Sequence, residues 1–152
     1  MHDIRVGGFG IVGVVLLLLV KYVSLNSIPE PLLMATLVLM PVLSRWAMAY
    51  AIFAYPYARP SGLGKAFKQG TSWPRFTMAT LIAFVVVVIL ALLAGLSIIL
   101  VMFFIWVVTV AMAAYLKSKF SGLTGDTYGA INEVAEVAVL ILINLLVRLG
   151  LA

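Results

Sequence analysis

Apolar stretches of about 20 residues alternate with short polar segments along the chain, and a helix needs about that length to cross a hydrocarbon core of ~30 Å. The stretches predict spans over 9–23, 32–55, 76–94, 97–115 and 126–147. The run over 76–115 is too long for one crossing, so it predicts a hairpin that turns near Gly95. We therefore expect an all-α fold, a polytopic transmembrane helical bundle of about five spans that forms one domain over 1–152.

Composition agrees with a membrane protein and excludes two kinds of site. Hydrophobic residues make up 65% of the chain and charged residues 10%, and the mean hydropathy is +1.24. There is no cysteine and the only histidine is His2, so neither a thiolate metal centre nor a histidine-based zinc or haem site can form. The lipid bilayer is therefore the first expected partner.

Basic residues predict the orientation. With an odd number of spans, one face collects Arg5, Arg59, Lys65, Lys68, Arg75, Lys117 and Lys119. The other face has Lys21 and Arg148. By the positive-inside rule the richer face, which includes the amino terminus, is cytoplasmic. The net charge of +5 is therefore partly topological and does not indicate a nucleic-acid partner.

Three of the five acidic residues stand near the start of the last predicted span. At about 100° per residue, Asp126, Gly129, Glu133 and Glu136 fall on one stripe of a helix. Carboxylates in a membrane are costly unless they are paired or bind a cation, so the stripe predicts a metal or substrate site. The alternative is an ordinary helix start with Thr124 or Asp126 as its cap. That alternative accounts poorly for Glu136, about 15 Å along the axis.

Arg45 lies well inside the second predicted span, about 15 Å before its polar end. One interpretation is snorkelling, in which the long side chain carries the guanidinium towards the headgroups. The other is an ion pair with Glu133 or Glu136, or a bidentate contact with a phosphate. We expect the second, because antiparallel neighbouring helices would bring Arg45 and Glu136 to one depth.

The segment 55–65, YPYARPSGLGK, combines aromatic rings, Arg59 and the glycines Gly62 and Gly64. Glycines let a ligand approach the backbone closely, which suits a nucleotide or a phosphate. The same composition is typical of a basic interfacial loop, and the lysine is not followed by Ser or Thr as in a Walker motif. The residues alone leave both interpretations open.

Four blocks, in their order and spacing, resemble the cobalamin synthase family, the adenosylcobinamide-GDP ribazoletransferases. They are 5–10 (RVGGFG), 41–46 (PVLSRW), 53–64 (FAYPYARPSGLG) and 122–130 (GLTGDTYGA), the last followed by Glu133 and Glu136. The resemblance covers nearly the whole chain, and the Thr-Gly-Asp block at 124–126 is its most specific part. It implies a magnesium-dependent transferase of the cytoplasmic (inner) membrane whose active face is cytoplasmic.

The reaction implied by the resemblance is a late step of cobalamin biosynthesis. α-Ribazole, or its 5′-phosphate, displaces GMP from adenosylcobinamide-GDP to give adenosylcobalamin or its phosphate. The expected catalytic residues are Asp126, Arg45 and Arg59, and the expected Mg²⁺ ligands are Asp126, Glu133 and Glu136. The expected substrate-binding residues are Arg5, Gly62, Gly64, Gly122, Thr124, Gly125 and Gly129. Phosphoryl transfer suits these residue types, because it depends on metal-binding carboxylates and on cations against phosphate oxygens.

Members of that family are typically longer, with a Gly- and Asp-rich block ahead of the part that corresponds to Met1. The acids ahead of the stripe here are Asp3 and Glu30 alone. The chain is therefore expected to match the carboxyl-terminal part of such an enzyme, with half of its metal site and an amino-terminal companion segment as a partner. A non-catalytic membrane subunit and a small ion-coupled transporter stay open, although a transporter should show related halves and none is visible.

Overall fold

The computed structural model describes residues 8–59 and 62–151, and six helices form within those ranges. They are α1 (Gly8–Asn26), α2 (Glu30–Ala54), α3 (Leu63–Gly70), α4 (Trp73–Ala94), α5 (Ile98–Phe120) and α6 (Gly125–Arg148). Helices α2, α4, α5 and α6 are long and apolar enough to cross a membrane, and α1 is a shorter apolar helix. The predicted all-α membrane bundle of about five spans is confirmed, including the hairpin turn at Gly95 between α4 and α5.

Helices α2 and α6 form the centre of the bundle. Leu39 and Leu43 of α2 and Leu140 of α6 are completely buried in the core. Helices α4 and α5 pack on this central pair, and α1 packs against α6. Outward side chains such as Leu92 and Leu93 are 75% and 78% exposed, which suits a surface that meets lipid tails instead of water.

Helices α1 and α6 run in the same direction. Near their ends, Asn144 Nδ2 of α6 donates to the carbonyl of Ser24 of α1 at 2.9 Å. Nearer their starts, Leu17 of α1 lines the same cavity as Val134 of α6. Both helices therefore begin at the end of the bundle where α2 and α5 end, as a five-span arrangement requires.

Two loops are joined at that end. The backbone N–H of Ala58 donates to the carbonyl of Leu123 at 2.8 Å, and the N–H of Leu123 donates to the carbonyl of Pro56 at 2.9 Å. Gly122, with φ +154°, permits this approach, because a Cβ there would lie 2.9 Å from the backbone nitrogen of Ala58. Gly122, expected to bind substrate, therefore serves the contact between the two loops.

The segment between α2 and α4 differs from the prediction, because α3 (Leu63–Gly70) forms where the sequence indicates only a loop. Lys68 of α3 donates to the carbonyls of Ile52 at 2.6 Å and Phe53 at 2.8 Å, in the last turn of α2. A cation satisfies carbonyls that lack a partner within the helix and offsets the negative end of the helix dipole. Burial lowers the pKa of Lys68, which is therefore not a freely solvated loop residue.

Candidate functional site

A cavity of about 430 Å³ opens at the end of the bundle where α2 ends and α6 begins. Six of the predicted site residues line it: Arg59, Gly62, Gly64, Gly125, Asp126 and Gly129. The other lining residues are Met48, Ile52, Tyr57, Phe67 and Tyr128. The contact between the two loops thus brings together two motifs that are far apart in the sequence.

The start of α6 is fixed by a capping box. Thr124 Oγ1 accepts a hydrogen bond from the backbone N–H of Thr127 at 3.3 Å, and Thr127 Oγ1 accepts one from the N–H of Thr124 at 2.7 Å. This pairing satisfies two donors that have no partner within the helix. The interpretation of Thr124 as the cap is confirmed, and its hydroxyl, expected to bind substrate, is engaged by the backbone.

The glycines of the cavity differ in what surrounds them. A Cβ on Gly64 would lie 2.5 Å from Tyr57 Cε2 and 3.0 Å from the backbone nitrogen of Gly125. A Cβ on Gly129 would meet nothing within 4 Å. Gly64 therefore permits α3, the Tyr57 ring and the start of α6 to approach each other, whereas Gly129 leaves space that opens into the cavity.

Arg59 and Asp126 face each other at the cavity. Arg59 Nη2 lies 3.6 Å from Asp126 Oδ2, and the two side chains are 58% and 85% exposed. An exposed ion pair of this kind contributes at most about 1 kcal/mol to stability, because water screens it. Both charged groups are thus accessible to a ligand.

Two tyrosines at the cavity are missing from the predicted site residues. The rings of Tyr57 and Tyr128 are stacked, with centroids 6.3 Å apart. Tyr128 is only 2% exposed, and among the described residues its hydroxyl has no hydrogen-bond partner. In the sequence, the aromatic residues of 55–65 are the signal that indicates Tyr57 as a site residue. For Tyr128, the signal is its position two residues after Asp126.

Glu133 and Glu136 lie farther along α6 and do not line the cavity. The ammonium of Lys21, on α1, contacts Glu133 Oε2 at 2.6 Å and Glu136 Oε2 at 2.5 Å. Only 14% of the Lys21 side chain and 13% of the Glu136 side chain are exposed. The sequence predicts Lys21 among the basic residues of the face opposite the cytoplasm, but its charged group lies within the bundle.

Three more side chains complete this group. Arg45 Nη1 donates to Asn132 Oδ1 at 3.0 Å, and Asn132 Nδ2 donates to Glu136 Oε1 at 3.0 Å. Ser44 Oγ donates to the same oxygen of Glu136 at 3.3 Å. We call this group the intramembrane network; its members are Lys21, Ser44, Arg45, Asn132, Glu133 and Glu136.

The predicted ion pair of Arg45 with Glu133 or Glu136 is wrong. Asn132 stands between Arg45 and Glu136, and the cation on both acids is Lys21. The prediction compared the depths of Arg45 on α2 and Glu136 on α6 alone. The ammonium that pairs with the acids belongs to Lys21 of α1, which runs parallel to α6. An isolated lysine in the apolar span 9–23 is the sequence signal that would have indicated this partner.

The three acids of the stripe are not gathered at one place, and their role as Mg²⁺ ligands stays a prediction. In the described part of the chain, no group of three or more His, Cys, Asp or Glu side chains is arranged to hold a metal ion. Asp126 lies at the cavity, whereas Lys21 pairs with Glu133 and Glu136 deeper in the bundle. Residues on one face of a helix point the same way but lie at different positions along its axis. Asp126 is therefore separated along α6 from Glu133 and Glu136. Arg5, also expected to bind substrate, lies outside the described residues.

Comparison with known proteins adds a family relationship. The family model described as cobalamin-5-phosphate synthase matches residues 1–144. Two curated relatives named adenosylcobinamide-GDP ribazoletransferase, from Desulforamulus reducens and Herpetosiphon aurantiacus, are 37% and 39% identical over 95% and 97% of this chain. The chain spans 57% and 58% of the length of those two proteins. No solved structure gives a significant match.

Proposed function

Because this chain belongs to the cobalamin-5-phosphate synthase family, we propose that its cavity binds the reacting phosphates in a late step of cobalamin biosynthesis. In the proposed reaction, α-ribazole or its 5′-phosphate attacks the phosphorus that carries the adenosylcobinamide group of adenosylcobinamide-GDP. The bond from that phosphorus to the GMP group breaks, GMP leaves, and adenosylcobalamin or its phosphate is formed. The names of the relatives support this reaction, which we assign to the complete gene product.

The observation that carries the proposal is the meeting of Arg59, Asp126 and glycine backbone at one cavity. Phosphoryl transfer needs little covalent chemistry from the protein and depends on positioning and on stabilisation of charge. A guanidinium binds two phosphate oxygens at once, and Arg59 is exposed beside the even more exposed carboxylate of Asp126. Arg59 is thus the group proposed to hold the diphosphate and the departing GMP.

The rest of the cavity supports the same role. The amino terminus of α6, at Gly125, faces the cavity, and the start of a helix favours anions because its N–H groups and dipole are positive. Met48, Ile52 and Phe67 also line the cavity. Their apolar surface would pack against apolar parts of a bound substrate.

We also propose that Mg²⁺ takes part. Asp126 fits as a ligand, because its carboxylate is 85% exposed and Mg²⁺ is commonly held by one or two carboxylates together with substrate phosphates and water. Bound Mg²⁺ would neutralise charge on the diphosphate. Glu136 does not fit, because both of its oxygens accept hydrogen bonds within the bundle. Glu133 contacts Lys21 through Oε2, and its side chain is 46% exposed.

The proposed location is the cytoplasmic (inner) membrane, with the cavity facing the cytoplasm. The cavity end of the bundle carries Arg59, Lys68, Arg75, Lys117 and Lys119, which is the pattern of a cytoplasmic face. Reporter fusions at Gly70 and at the carboxyl terminus should report opposite sides of the membrane. Fusions that report the same side would contradict both the orientation and the odd number of spans.

The activity is tested by release of GMP from adenosylcobinamide-GDP in the presence of α-ribazole and Mg²⁺, with the complete gene product in liposomes. Asp126→Asn keeps the size of the side chain and removes its charge, so turnover should fall by about 100-fold or more. Lys117→Gln, an exposed cation at the end of α5, is the matched control and should change turnover little.

Two outcomes would contradict the proposal in different ways. Normal turnover by a correctly inserted Asp126→Asn protein would remove Asp126 from the chemistry and leave it as an ordinary residue of the first helical turn. Absence of GMP release by the wild type would instead favour a non-catalytic membrane subunit.

A further inference from the structure

The charges of the intramembrane network cancel. Lys21 and Arg45 are cations, Glu133 and Glu136 are anions, and Asn132 and Ser44 join them by hydrogen bonds. Within an apolar bundle a neutral, hydrogen-bonded set of charges is far less costly than an unpaired charge. A bound divalent cation would leave the set with an excess positive charge.

Glu136 has both carboxylate oxygens occupied by donors. Its Oε2 accepts from Lys21 at 2.5 Å, and its Oε1 accepts from Asn132 at 3.0 Å and from Ser44 at 3.3 Å. Arg45 contributes indirectly, because its contact with Asn132 Oδ1 turns the amide so that Nδ2 points at Glu136. A metal ion could reach either oxygen of Glu136 only by displacing these hydrogen-bond donors.

From this arrangement we infer that Lys21 is the resident counter-ion of Glu133 and Glu136, and that this ion group fastens α1 to α6 and α2 instead of binding a divalent cation. The network begins at Asn132, one helical turn beyond Tyr128 and Gly129, which line the cavity. Lys21 is therefore a positioning residue for the first turns of α6. The inference does not depend on the proposed reaction.

The inference is tested by thermal unfolding of the complete gene product in detergent. Lys21→Met leaves two adjacent carboxylates without a cation and should lower the melting temperature by roughly 6 °C or more. A triple variant that adds Glu133→Gln and Glu136→Gln should recover at least half of this loss, because no carboxylate is left without its cation. Lys21→Arg keeps the charge and should lose less than Lys21→Met, and Lys117→Met is the exposed control.

A second measurement addresses the metal directly. Mn²⁺ binding, followed by electron paramagnetic resonance, should be the same for the wild type and for Glu133→Gln. A decrease of about tenfold or more, as expected for loss of a metal ligand or its immediate support, would overturn the inference.

The stability result is decisive in either direction. A Lys21→Met protein as stable as the wild type, or a triple variant no more stable than Lys21→Met, would overturn the inference. If Lys21→Met fails to accumulate, the amount of monodisperse protein replaces the melting temperature, and the triple variant should restore it. Absence of GMP release leaves these outcomes unaffected, so failure of the proposed reaction is distinguishable from failure of this inference.

Discussion

The first turn of α6 and its middle use acidic side chains in opposite ways. Asp126 is 85% exposed and faces Arg59 across 3.6 Å, whereas the Glu136 side chain is 13% exposed and accepts hydrogen bonds from three donors. Water screens the first pair, so its partners can exchange, but the second group lies among apolar helices, where an unpaired charge is costly. The neighbours of an acid, more than its place on a helical stripe, thus decide whether a ligand can use it.

Helix α6 connects the two regions. Gly125, Asp126 and Gly129 line the cavity, and Asn132, one turn later, belongs to the intramembrane network. The comparison implies a division of labour: changes in the network should affect mainly stability, and changes at the Arg59–Asp126 pair should affect mainly ligand binding and turnover. The first of four pairs of variants tests this division, and the other three test the contacts that build the cavity end of the bundle.

The largest effect on stability is expected for Glu136→Gln. It removes an anion that Lys21, Asn132 and Ser44 surround, and should cost about 3 kcal/mol in the free energy of unfolding. Asp126→Asn should cost less than about 1 kcal/mol, because its pair with Arg59 is exposed. Unfolding in detergent measures both, and equal losses would remove the distinction between the two regions.

Next in size is the contrast between Gly64→Ala and Gly129→Ala. A methyl group on Gly64 would collide with the Tyr57 ring and crowd the backbone of Gly125, at a cost of about 1 to 3 kcal/mol. At Gly129, with nothing within 4 Å, alanine should be neutral or stabilise the helix by up to about 1 kcal/mol. The free energies of unfolding of the two variants check this order, and a more stable Gly64→Ala protein would argue against the close packing of α3 on α6.

Loss of the cap of α6 should have a moderate effect. Thr124→Ala removes the acceptor for the N–H of Thr127 and should cost about 1 kcal/mol. Thr124→Ser keeps the hydroxyl and should retain most of the stability. A large loss of turnover with Thr124→Ser as well as with Thr124→Ala would instead support direct contact of this residue with substrate.

The smallest effect is expected for Lys68→Gln. Its ammonium caps the carbonyls of Ile52 and Phe53, and a cation at a helix carboxyl terminus contributes about 0.3 to 1 kcal/mol. Lys117→Gln, which removes an exposed charge, is the control and should leave the melting temperature unchanged. A Lys68→Gln protein indistinguishable from the control would show that the cap does not stabilise α2.

The spans could be predicted from the sequence because each is a local pattern. Their length and apolarity indicate the helices, and Gly95 indicates the turn between α4 and α5. The sequence also selected Arg59, Gly62, Gly64, Gly125, Asp126 and Gly129, all of which line one cavity. These residues stand in loops or at a helix start, where glycine and charge are unusual enough in an apolar chain to be noticed.

Contacts between helices were decided only by the tertiary structure. The helical period places Glu133 and Glu136 on one face, but it does not show that α1 lies beside that face or that Lys21 reaches both acids. It likewise does not show that Asn132 separates Arg45 from Glu136, or that Lys68 turns back onto the end of α2. A long polar side chain reaches several neighbours from one position, and burial makes one of those partners far more favourable than the others. The choice of partner depends on which helices are adjacent, and the helical periodicity of one segment carries no information about its neighbours.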